Sequence, residues 1–126
     1  MSRQSFTPER APAAADPYSH AVRIGPFVHT AGQVGVDPAT RQAREGVEAQ
    51  TRQALDNLRV ALAAAGASMD DVLRVGVYLT RAEDFAAMNA VYREFFDAPY
   101  PARSTVYVGL NPGLLVEIDA LAVLEP

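Results

Sequence analysis

The chain contains no cysteine. Disulfides, thiolate nucleophiles and cysteine-bound metals are therefore excluded, and a reducing compartment suits the composition. A basic tract is missing too. Eleven Lys and Arg residues stand against fifteen Asp and Glu, for a formal charge of -4. That balance gives little support to phosphate neutralisation, so no nucleic-acid partner is expected. The apolar runs are too short to cross a bilayer, and the polar, proline-rich start MSRQSFTPERAPAAADP has no signal-peptide core. A cytoplasmic protein with no membrane partner is expected. G-x-G-x-x-G, P-loop and G-x-S-x-G motifs are absent, and His20 and His29 lack metal-ligand spacing, so no metal site is expected.

What remains is an ordinary globular composition, 49% apolar and 21% charged over 126 residues. This length fits a single domain over residues 1–126 with one real core. Residues 1–17, proline-rich and aperiodic, read as an extended N-terminal arm, ordered only where something binds it. Alternation with a Gly25-Pro26 break predicts strands over 20–24 and 27–31. Apolar residues at Val47, Ala54, Leu55, Leu58, Leu62 and Ala65 predict a helix over 47–65, stopped by Gly66. A nearly continuous apolar run predicts a strand over 73–79. Thr80 and Glu83 spell a T-x-x-E capping box for a second helix over 81–96, with Phe85, Met88, Tyr92, Phe95 and Phe96 toward the core. Strands over 104–108 and 115–124 follow, joined through the Asn-Pro-Gly turn. In the last, Val116, Ile118, Ala120 and Ala122 share one face, and Glu117, Asp119, Leu121 and Val123 the other.

The order strand-strand-helix-strand-helix-strand-strand implies an α+β fold with a mixed sheet and two helices on one face. The other face carries valine and leucine beside acids. A symmetric oligomer is the economical way to bury it.

Few groups suit chemistry. Arg103, in PARSTVYV, can grip a carboxylate with both arms of its guanidinium or pair with a neighbouring acid. Glu117 interrupts an apolar strand. It can position or deprotonate water, or pair with Arg103, if two strands joined by a turn bring both to one sheet edge. Tyr18 can cover a ligand or seal a core edge. Asn89 is a polar residue on an apolar helical stripe.

The segments APAAADPYSHAV, HTAGQVGVDPAT, EAQTRQALDNLRVALAAAG, DDVLRVGVYLT, DFAAMNAVYREFF, PARSTV and VEIDALAV together resemble the RidA (YjgF/YER057c/UK114) family over nearly the whole chain. The resemblance implies the chorismate-mutase-like fold and a homotrimer with clefts between subunits. It implies hydrolytic deamination of reactive 2-imino and 2-enamino acids to 2-keto acids and ammonia, without a cofactor. The small-molecule partner is an imino or keto acid. Carried over residue by residue, it makes Arg103 the carboxylate grip and Glu117 the residue that positions water. Tyr18 then lies beside the substrate, Gly32 lets backbone approach the ligand, and Asn89 stands near the subunit interface. Three positions depart from the family pattern: Ala31 replaces a serine, Thr105 a cysteine and Asp16 a glycine. Ala31 bears on substrate range, and leaves open a more specialised catabolic deaminase or a binding protein for small carboxylates that turns nothing over.

Overall fold

A computed structural model of the chain describes residues 2–9, 11 and 14–126. Helix α1 (Val47–Ala64) forms on the stripe predicted for it. Thr51, Ala54, Leu55, Leu58, Ala61 and Leu62 are fully buried along it. Burial of each leucine contributes about 1.5–3 kcal/mol. The helix ends in a Schellman arrangement. Ala67 donates to the Leu62 carbonyl at 2.9 Å and Gly66 to Ala63 at 3.0 Å, with Gly66 at φ +87°, a conformation open to glycine.

The sheet has seven strands: β1 (Gln4–Phe6), β2 (Ala21–Ile24), β3 (Phe27–Thr30), β4 (Gln33–Val34), β5 (Val72–Leu79), β6 (Ala102–Tyr107) and β7 (Val116–Val123). Their order is β1-β2-β3-β7-β5-β6, with β4 also pairing β7. Only β5 and β6 run parallel, as a strand–helix–strand crossover requires. In β7, Val116, Ile118, Ala120 and Ala122 are fully buried against the helices, and Glu117, Asp119, Leu121 and Val123 are half-buried on the other face. That alternation is the one written in the sequence.

Several expectations change. Part of the N-terminal arm is a strand of the sheet: β1 pairs antiparallel with β2, Gln4 opposite Arg23 and Phe6 opposite Ala21, and Phe6 packs on the core. The second helix is shorter than 81–96. A 3-10 turn, Ala82–Asp84, precedes α2 (Phe85–Tyr92). No side chain caps that start. Instead the Arg81 guanidinium makes two hydrogen bonds to the Asp84 carboxylate, at 3.0 and 2.9 Å. After Tyr92 the backbone tightens, Glu94 bonding Val91 and Phe95 bonding Tyr92, three residues back each time. A capping box does occur at Ser68 and Asp71. Finally, β6 and β7 are not neighbours, because β5 lies between them.

Both helices cover one face of the sheet. On the other, Phe27 is 54% exposed and Val106 41% exposed. Their strand partners, Val123 and Tyr78, place them on the same side as Glu117 and Asp119.

Candidate functional site

Arg103 stands on the edge strand β6, directly opposite Val75 of β5, and so projects from the helix-covered face. Its guanidinium carbon lies 4.7 Å from the centroid of the Tyr92 ring and 5.7 Å from that of Phe85. Two aromatic rings from α2 thus hold the cation by their faces, worth roughly 0.5–2 kcal/mol per contact. No carboxylate among the described residues lies within ion-pair distance of it. Among the described residues the charge therefore has no counter-ion. Beside it opens a cavity of about 230 Å³ lined by Asn89, Tyr92, Arg93, Tyr100, Pro101 and Arg103. Asn89 and Arg103, read separately from the sequence, meet here.

Tyr92 is the floor of this arrangement. Burial raises the proton affinity of its phenol, and the nearby Arg103 charge partly offsets that. The guanidinium sits over the ring face, and the buried hydroxyl has no partner of good hydrogen-bond geometry.

Glu117 lies elsewhere. It is opposite Tyr78 of β5 and Val34 of β4, on the face away from the helices. Burial pushes its carboxyl above the usual carboxylate range, and the neighbouring charge of Asp119 adds to the shift. Gly32 makes room for it: a Cβ at that position would stand 2.5 Å from Oε2 and 2.6 Å from Cδ of Glu117. Within one chain, then, Arg103 and Glu117 do not share a sheet edge. They occupy opposite faces, on strands separated by β5. The sequence reading of a local pair is corrected on this point, because the turn between β6 and β7 spans a third strand instead of closing a hairpin.

Tyr18 is 54% exposed and meets His20 edge to face, ring centroids 5.9 Å apart, just before β2. It does not line the Arg103 cavity. Among the described residues, no three His, Cys, Asp or Glu side chains gather as a metal site would require. No helix is long and apolar enough to cross a membrane among those residues either.

Around Glu117 the structure adds a cluster that sequence reading missed. The Tyr78 hydroxyl donates to Oδ2 of Asp119 at 2.9 Å, and Arg74 Nη1 lies 3.7 Å from Oδ1. A Cβ at Gly76 would stand 2.5 Å from that same Oδ1. The signal was present in β5, where Arg74, Gly76 and Tyr78 alternate onto one face as Glu117 and Asp119 do in β7. It becomes visible only once the two strands are known to pair.

Comparison with known proteins identifies the family. The family model described as Endoribonuclease L-PSP matches residues 8–124. A RutC family protein of Pyrococcus horikoshii is 45% identical, over 99% of this chain and 100% of its own length. The 2-iminobutanoate/2-iminopropanoate deaminase of Salmonella typhimurium is 42% identical, over 98% of each chain. Among solved structures, E. coli TdcF with bound serine superposes with a TM-score of 0.91 at 39% identity, covering 97% of this chain and 99% of that one. RidA from an Antarctic Psychrobacter gives 0.90 at 41% identity, covering 96% and 99%. The fold is the α+β, chorismate-mutase-like one that the sequence motifs imply, and the chain belongs to the RidA family, described as Endoribonuclease L-PSP.

Proposed function

We propose that this protein is a cytoplasmic, cofactor-independent deaminase that hydrolyses reactive 2-imino and 2-enamino acids to 2-keto acids and ammonia. It works as a homotrimer whose sites lie between subunits. The observation that carries the reading is Arg103: a permanent cation, held by two ring faces, without a counter-ion among the described residues, at the rim of a small cavity. A carboxylate is the ligand that such a fork fits best. The activity of a relative agrees, since the Salmonella protein is a 2-iminobutanoate/2-iminopropanoate deaminase.

The subunit argument follows from sidedness. Arg103 points from the helix face of an edge strand, and Glu117 from the open face of an interior strand. One chain cannot present both to one small substrate; two copies meeting edge to face can. The partly apolar open face, with Phe27 and Val106 bare, supports such an association.

In this site Arg103 holds the substrate carboxylate through charge-assisted hydrogen bonds, each worth about 1.5–3 kcal/mol. That fixes the C=N carbon near Glu117 and removes much of the entropic cost of the encounter. Water adds to the carbon, and its proton passes to Glu117, whose buried carboxylate binds a proton more readily than an exposed one would. Glu117 passes that proton to the nitrogen to complete the aminol, then moves the hydroxyl proton to the nitrogen in the same way, so that ammonia departs and the ketone remains. Gly32 keeps the Glu117 carboxylate in place, Asn89 lines the Arg103 cavity, and Tyr18 stands free to cover the ligand. Because imines hydrolyse unaided in water, removing a damaging metabolite requires only modest acceleration, and a sparse site suffices.

A coupled assay tests this. Threonine dehydratase generates the imine, and the appearance of 2-keto acid is followed with and without the protein. Acceleration by the native chain, lost in Arg103→Ala with assembly intact, is the expected result. Undiminished acceleration in that variant defeats the mechanism. Binding of 2-oxobutyrate with no change in imine lifetime would identify a carboxylate-binding protein instead.

A further inference from the structure

A second cavity, larger than the one beside Arg103, opens elsewhere on the described residues. It measures about 540 Å³, within the range of small-metabolite sites, and shares no lining residue with the Arg103 cavity. Pro8, Val36, Pro38 and Val60 supply apolar wall. Most of its polar groups are already committed. Asp37 pairs with Arg44 at 2.9 Å, and Asp56 with Arg59 at 2.8 Å. Asn57 Nδ2 donates to the carbonyls of Val34 and Val36, and Gln33 Nε2 to that of Ala31.

Two lining charges are left over, Arg41 and Glu9. Both are exposed, and neither makes an ion pair among the described residues, so the two charges are not within 4.0 Å of each other. Arg41 carries a second anomaly. It has φ +61°, the only positive φ at a non-glycine position among the described residues. Its backbone closes the turn by donating to the Asp37 carbonyl at 2.7 Å. Glycine fills such a position without strain, whereas a long side chain there costs roughly 1–2 kcal/mol. The turn does not need a guanidinium; the cavity beside it has a use for one.

We propose that this cavity is a second ligand site, for a small α-amino acid with an apolar side chain: Arg41 takes the carboxylate, Glu9 the ammonium, and the proline and valine wall the side chain. An unpaired cation and an unpaired anion on the wall of one cavity, beside an apolar surface, suit a zwitterion with an alkyl group. The site does not depend on the deaminase reading, since it uses none of the residues assigned there.

The test is isothermal titration of the Arg103→Ala protein, which lacks the proposed deaminase grip, with L-norvaline, 2-oxopentanoate and pentylamine. Norvaline should bind once per chain and more tightly than either analogue. Arg41→Gly should weaken it at least about tenfold, the loss of one charge-assisted contact, without lowering the melting temperature. Glu9→Gln should abolish the preference for norvaline over 2-oxopentanoate. Absence of binding at millimolar norvaline, or equal affinity in Arg41→Gly, overturns the proposal. Binding present in the native chain and in Arg41→Gly, but lost in Arg103→Ala, would place the ligand at the deaminase site and overturn it equally.

Discussion

Gly32 and Glu117 share one volume. The space a Cβ would take at residue 32 is filled by the Glu117 carboxylate, whose Oε2 would lie 2.5 Å from it. The glycine therefore serves the glutamate before it serves any ligand. Gly32→Ala must push the carboxylate aside while leaving Arg103, on the other face, untouched. A displacement near 1 Å of a group that positions water costs about a hundredfold in rate. The expected result is a fall of that order in kcat for imine hydrolysis with KM little changed. A variant with native kcat would show that the carboxylate position is immaterial.

The rings beneath Arg103 can be dissected in the same way. Tyr92→Phe keeps the aromatic face and removes a buried hydroxyl without a good partner. KM should stay native, and the melting temperature should hold or rise, because an unsatisfied polar group is lost. Tyr92→Leu removes the face itself. KM should then increase about two- to thirtyfold, the equivalent of one cation–π contact. Steady-state kinetics on both variants, with thermal melts alongside, separate ring from hydroxyl.

Glu117 binds its proton more tightly than an exposed carboxylate, first through burial and then through Asp119. Tyr78 and Arg74 face the same acids, Tyr78 by hydrogen bond and Arg74 by charge. As a base, Glu117 must be ionised, so kcat should fall as pH drops through its raised value. Asp119→Asn deletes one cause and leaves burial, so this acid limb should move to lower pH while the plateau survives. Stability follows the same sign. A group whose folded value is raised contributes most below its unfolded value, and that contribution is lost as pH rises through the folded one. Glu117→Gln should therefore melt higher than the native protein at pH 8, with the gap closing in acid.

Local patterns carried much of this fold. The α1 stripe, its glycine stop and the two-faced alternation of β7 follow from side-chain periodicity, and the structure repeats them nearly residue for residue. Non-local pairing could not be read in this way. Nothing within residues 101–124 announces that β5, from thirty residues earlier, will slot between β6 and β7. That insertion decides the faces on which Arg103 and Glu117 emerge. β1 escaped notice for the same reason, since three residues find their partner in Ala21–Arg23 and no turn signal marks the pairing. At Thr80 the failure was competitive: a two-pronged Arg81–Asp84 contact holds the turn that a capping box would otherwise have held. Arg103 and Glu117 stood out in the sequence by residue type, Gly32 only through the family resemblance, and the geometry relating them was not legible.

The opposite sidedness of Arg103 and Glu117 makes a final prediction that no single-chain site can satisfy. Arg103→Ala and Glu117→Gln should each be inactive alone, one lacking the carboxylate grip and the other the base. If each site draws its arginine from one copy and its glutamate from the next, mixed assemblies contain some sites with both native groups. Random exchange at equal amounts yields about a quarter of sites intact in a cyclic assembly. Unfolding and refolding the two variants together should thus restore roughly that fraction of native activity, while refolding each alone should restore none. Val106→Asp, on the bare face, should block recovery by preventing association, with a smaller species on size-exclusion chromatography. A refolded mixture as inactive as its parents, yet assembled to the native size, would mean that each chain must bring both groups to its own site, which the sheet forbids, and the roles of the two residues would have to be reassigned.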